Sequence, residues 1–99
     1  LQAVMSDDEM RARYDREAEA VFRPVRHYLQ QHGIDARFEH RVGDPGRLIA
    51  ERATEGGFDL VMIGSHGHGA LGNVVMGSVA TKVLALCQVP ALVIRHAEV

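Results

Sequence analysis

The sequence is poor in most of the residues that announce a chemistry. It has one cysteine, no tryptophan and 5% aromatic residues in 99 positions. The lone thiol, Cys87, excludes an internal disulfide. Its place in the apolar run Leu84-Ala85-Leu86-Cys87 suits a small packed side chain near a helix end. No apolar run approaches the roughly 20 residues needed to cross a bilayer, and the beginning lacks the apolar core of a signal peptide. The net charge is −2. Arg11, Arg13, Arg16, Arg23 and Arg26 are interleaved with Asp7, Asp8, Glu9, Asp15, Glu17 and Glu19, a pattern of solvated helix pairs and not of a nucleic-acid surface. The expected class is one soluble cytoplasmic domain over residues 1–99, with no membrane or nucleic-acid partner.

One absence is local. From Leu60 through Ala97 there is no Asp or Glu, while Lys82 and Arg95 are present. Nothing in that half of the chain repels an anion.

Apolar residues recur at helical spacing from about Asp7 to Gln31: Met10, Tyr14, Ala18, Val21, Phe22, Val25, Tyr28 and Leu29. They are expected to be core contacts, with Pro24 kinking or breaking the helix and His32-Gly33 ending it. Phe38 and Val42 alternate with Arg37, Glu39 and Arg41, which predicts a half-exposed strand over about Ala36 to Val42. Asp44-Pro45 opens a second helix, with Asp44 as its cap, and Gly56-Gly57 closes it. The apolar run Phe58, Leu60, Val61, Met62, Ile63 reads as a strand buried on both faces. Ser78 stands where the cap of a third helix belongs, ahead of Val79, Val83 and Leu84, and a last strand covers Ala91 to Arg95. Helices alternating with strands predict an α/β fold with a parallel sheet.

Between the Val61 strand and the third helix lie Gly64-Ser65-His66-Gly67 and, nine residues on, Gly77-Ser78. Glycines let the backbone turn sharply and present bare amides. A helix start adds unpaired N–H groups and Ser78 a hydroxyl, so the pattern predicts a phosphate-binding loop. Two better-known loops fail here. Gly67-His68-Gly69-Ala70-Leu71-Gly72 has the dinucleotide spacing but no acidic residue about 20 positions on to hold a ribose. Gly72 and Gly77 are spaced as in a P-loop, yet Ser78 stands where its lysine belongs. His66 and His68 flank Gly67 without the zinc spacing that would make them ligands and read as solvated or loop-stabilising, and Lys82, a turn into the third helix, reads first as a surface lysine, with a phosphate contact as the alternative.

The spacing G-x2-G-x9-G-S, the phrase Asp59-Leu60-Val61-Met62-Ile63-Gly64-Ser65-His66-Gly67, Gly43-Asp44-Pro45 before a helix and the tail Val89-Pro90-Ala91-Leu92-Val93-Ile94-Arg95 together resemble the universal stress protein family. The resemblance covers most of the chain. It implies a flavodoxin-like, adenine nucleotide alpha hydrolase-like parallel-sheet sandwich in which members with this loop bind ATP or a related adenine nucleotide. By family position, Ile63, Gly64, His66, Gly67, Gly77, Ser78 and Val79 form the nucleotide-binding part. The strand Ala91 to Arg95 would pair with its twin in a homodimer. The family opens with a strand carrying an aspartate, a helix and a second strand that have no counterpart before Leu1. Residues 1–99 thus correspond to the C-terminal two thirds of the domain, and the sequence is expected to be an N-terminally incomplete part of a longer protein or to have its gap filled by a partner chain.

No nucleophile with an adjacent base and no carboxylate pair gathers near the loop, which favours a regulatory nucleotide-binding protein over a catalyst. Two other readings remain open: a slow magnesium-dependent ATPase or phosphotransferase using the same loop, and a nucleotide-free dimerisation module.

Overall fold

Helix α1, Asp7–Gln31, starts and stops on local signals. Ser6 caps it by accepting the Glu9 amide at 3.2 Å, and Asp7, Asp8 and Glu9 set negative charge against the positive end of the helix dipole. At the other end the Gly33 amide donates to the Gln30 carbonyl and the Ile34 amide to the Leu29 carbonyl. This is the Schellman closure, which needs the positive φ, 66°, that Gly33 supplies. The helix runs without interruption through Pro24. The computed structural model describes residues 4–65 and 76–95.

The chain divides into two compact units, residues 1–40 and 41–99. In the first, the segment after α1 returns along the helix. The Phe38 ring packs against Phe22 at 5.2 Å between centroids, the Arg26 guanidinium lies over Phe38 and is held by Glu19 at 2.7 Å, and His40 reaches Asp15 at 3.0 Å. Two expectations are corrected here. No residue of α1 is buried, so its apolar positions are not a core; Val21, Val25 and Tyr28 are exposed and Phe22 is half-covered. A helix buries only what its neighbours cover, and Phe38 covers little. Residues 36–42 also form no strand. Alternation alone makes no strand without a ladder partner, and the described ladder joins two other segments.

The second unit contains α2 (Pro45–Glu55), β1 (Val61–Gly64), α3 (Ser78–Leu86) and β2 (Ala91–Ile94). Asp44 is the N-cap of α2 and Pro45 its first residue, as the sequence indicates. Its C-terminus repeats the closure of α1: Gly57 donates to Thr54 and Phe58 to Ala53, with Gly57 at φ 63°. Strands β1 and β2 pair in parallel, Val61 opposite Ala91 through Gly64 opposite Ile94. A parallel pair requires a crossover, and α3 is that crossover. Along each strand half-buried and exposed residues alternate, so β1 is covered on one face and not two. Met62 on the other face is 60% exposed.

Helices α2 and α3 pack together. Gly46, Ala50 and Ala53 are the buried residues of α2, and Ala80 and Val83 those of α3. Small residues at this contact bring the helices close. A Cβ on Gly46 would stand 2.6 Å from Lys82 Cβ, nearer than carbon atoms approach without contact strain.

Val83 is the one described side chain with no exposed surface. Removing its two terminal methyls is expected to cost about 2 kcal/mol in urea unfolding, whereas Val21→Ala, at an exposed site, stays within about 0.5 kcal/mol. Gly46→Ala tests the helix contact by its sign. Helix propensity alone favours alanine by about 1 kcal/mol. The steric overlap with Lys82 Cβ predicts net destabilisation instead, and a raised midpoint would contradict it.

Candidate functional site

The C-terminal end of β1 and the N-terminal end of α3 are drawn together by one residue. Ser65, 3% exposed, donates its amide to the Ile94 carbonyl at 2.8 Å and accepts the Gly77 amide on its own carbonyl at 2.6 Å. The chain that leaves β1 is thus fastened to β2 on one side and to the start of α3 on the other. Ile63 and Gly64 precede the fastening, and Gly77, Ser78 and Val79 follow it. Of the seven residues expected at the site, these five are brought to one end of the second unit. His66 and Gly67 lie outside the described residues.

Gly77, not Ser78, is the N-cap of α3, which corrects the sequence expectation by one position. Its backbone is extended, at φ −73° and ψ 167°. Its carbonyl accepts both the Thr81 amide at 3.1 Å and the Thr81 hydroxyl at 2.9 Å. The shift has a simple origin: the Gly77 amide is already committed to Ser65, so the helical bond pattern starts from Gly77. Ser78 becomes the first helical residue and is exposed. The Thr81 amide closes the first intrahelical bond, leaving the amides of Ser78, Val79 and Ala80 without an intrahelical acceptor. Such a group of N–H donors, at the positive end of the helix dipole, suits an anion.

The start of α2 lies against the first turns of α3. Lys82 Nζ meets Asp44 Oδ2 at 2.7 Å, with both side chains 44% exposed. The Lys82 hydrogen bond, foremost, holds the Asp44 carboxyl below its ordinary pKa, aided by the charge of Lys82 and by the Arg47 amide and charge. A lowered carboxylate pKa means that this pairing is intact above the ordinary Asp range and is lost only as pH falls through the lowered value. Neither α2 nor α3 has an acidic residue in its first turn. The balance of side-chain charge here, Lys82 and Arg47 against Asp44, is positive.

Sequence reasoning named Asp44 and Lys82 separately and missed their pairing, as well as Gly46. The glycine directly after Asp44-Pro45, on the future buried face of α2, was the available signal. Nothing in local spacing shows which lysine it faces. Cys87 is the C-cap of α3, half-buried, with its thiol donating to the Val89 carbonyl at 3.4 Å. Among the described residues no three His, Cys, Asp or Glu side chains are grouped to hold a metal ion, and no helix is long and apolar enough to cross a membrane.

The chain is similar to several known proteins. The chain is similar to Universal stress protein Sll1388 of Synechocystis, 31% identical over 80 residues, covering 81% of this chain and 52% of that protein. It is similar to Universal stress protein YxiE of Bacillus subtilis, 30% identical over 88 residues, covering 89% and 60%. The solved structure of MJ0577, a universal stress protein of Methanocaldococcus jannaschii, superposes with a TM-score of 0.80 at 26% identity over 93% of this chain and 64% of that one. The likeness supports the α/β, flavodoxin-like class. The chain spans about half the length of the curated relatives it matches, 52% and 60% for the two named. The model of the universal stress protein family matches residues 2–95, and with the glycine pattern of β1 and α3 lying within that match, the chain belongs to this family.

Proposed function

We propose that the chain binds ATP or a related adenine nucleotide through the β1–α3 connection and acts as a regulatory, stress-response binding protein in the cytoplasm. The observation that carries the reading is the start of α3: three amides without intrahelical acceptors, an exposed hydroxyl at Ser78 and no acidic residue in the first turn. The amides of Ser78 and Val79 and the Ser78 hydroxyl would take phosphate oxygens there, directly beside Gly77, whose own amide is held by Ser65, with Gly64, His66 and Gly67 completing the phosphate and ribose side and Ile63 lining it from β1. Magnesium would arrive with the nucleotide. A homodimer through Ala91 to Arg95 follows from the same family resemblance and is supported by the sheet: among the described residues, β2 has a ladder partner on one edge only.

Calorimetric titration of magnesium ATP into the folded full-length protein is expected to show saturable binding. Ligand at 100 times its dissociation constant should then stabilise the fold by about 2.7 kcal/mol. Ser78→Asp is the informative variant. A carboxylate at a helix start favours the helix but opposes a phosphate a few ångströms away, so the fold should persist while affinity drops at least about tenfold. Binding unaffected by Ser78→Asp would count against the site. Slow ADP release that disappears in this variant would shift the reading to an ATPase, and no binding by a folded sample would leave a dimerisation module. Light scattering should give the mass of two chains. A single-chain mass across a wide concentration range would remove the dimer.

A further inference from the structure

Lys82 is unusually constrained for a half-exposed lysine. Its stem lies across the backbone of Gly46, where a Cβ would stand 2.6 Å from its Cβ and 3.0 Å from both Cγ and Cδ. The side chain therefore runs along α2 toward that helix's start and delivers its ammonium to Asp44 at 2.7 Å. On α3, Ser78 and Lys82 are separated by one turn, so their Cβ atoms are about 5–6 Å apart. A lysine side chain covers that distance. Ser78 and Lys82 therefore share one face of α3, one turn apart, with the ammonium held at Asp44 at the start of α2.

The pairing with Asp44 is suited to exchange. Both partners are 44% exposed, and an ion pair open to solvent contributes little net stability. A phosphate oxygen offers the same ammonium a charge-assisted bond of at least equal strength. Asp44 would lose little on release, because its carboxylate is 44% exposed and open to water.

We propose that Lys82 determines specificity at this site by phosphate number: its ammonium leaves Asp44 for the outer phosphates of a bound adenine nucleotide, so tri- and diphosphates are preferred over the monophosphate. The inference rests on the nucleotide reading above. The amides of Ser78 and Val79 can hold one phosphate of any of the three nucleotides, while only a longer phosphate chain reaches the lysine. Asp44 then acts as a positioning residue that competes for the ammonium in the free protein.

The test is calorimetric titration of ATP, ADP and AMP into the full-length protein and into Lys82→Gln, Lys82→Arg and Asp44→Asn. Lys82→Gln is expected to weaken ATP about tenfold while leaving AMP within about twofold. Lys82→Arg should retain the ATP preference. The Asp44 side chain makes no capping hydrogen bond, so Asp44→Asn leaves the start of α2 as it is and frees the ammonium, and ATP should tighten about threefold with AMP unchanged. Equal losses for ATP and AMP in Lys82→Gln, or no loss for either, would overturn the assignment while leaving the nucleotide site standing. An unaltered ATP affinity in Asp44→Asn would overturn the competition. Failure of the unsubstituted, folded protein to bind any of the three would instead overturn the nucleotide reading, and this inference with it.

Discussion

The parallel pairing of β1 with β2 is the constraint on which the second unit depends. The four registered positions are continued at each end by a backbone hydrogen bond, Val61 to the Pro90 carbonyl at 2.9 Å and Ser65 to the Ile94 carbonyl at 2.8 Å. Parallel strands cannot be joined by a tight turn, so the chain has to leave β1, cross and return. That requirement places a helix start at the end of a strand. The same Ser65 that ends the ladder fastens Gly77, and the first amides of α3, without intrahelical acceptors, stand directly beyond that fastening. The candidate binding chemistry is therefore a by-product of closing a parallel pair.

The helix pair adds the second requirement. The described core consists of small side chains, Ala50, Ala53, Ala80 and Val83, which bury little apolar area each and stabilise mainly by permitting close approach. Close approach at Gly46 in turn fixes the course of Lys82. Packing and electrostatics are coupled here through one missing Cβ: a larger residue at position 46 would alter both the helix spacing and the place where a positive charge is presented.

Much of this architecture was legible in the residues. The bounds of α1 follow from Ser6-Asp7 and Gly33, those of α2 from Asp44-Pro45 and Gly56-Gly57, because caps and glycine closures act within a few residues and need no tertiary partner. The glycine spacing around β1 and α3 was equally readable, and with it the family. The failures concern what lies opposite. The apolar positions of α1 were expected to be core, and residues 36–42 a strand, because periodicity reports which face would be buried and not whether anything covers it. The cap of α3 moved from Ser78 to Gly77 because a tertiary hydrogen bond to Ser65 chose the register. The Asp44–Lys82 pair joins two helices and left no mark in the spacing of either.

The closures at Gly33 and Gly57 carry a consequence for how the chain acquires its shape. Each is completed within six consecutive residues, from Leu29 to Ile34 and from Ala53 to Phe58, so each can form as soon as its helix has formed, before any strand has found its partner. Local contacts of this kind cost little loop entropy, whereas the β1–β2 ladder joins residues about thirty positions apart and has to wait for α3. The lengths of α1 and α2 are therefore set by contacts local to each helix. The Ser65–Gly77 fastening depends instead on a contact distant in sequence, the docking of one short strand beside another.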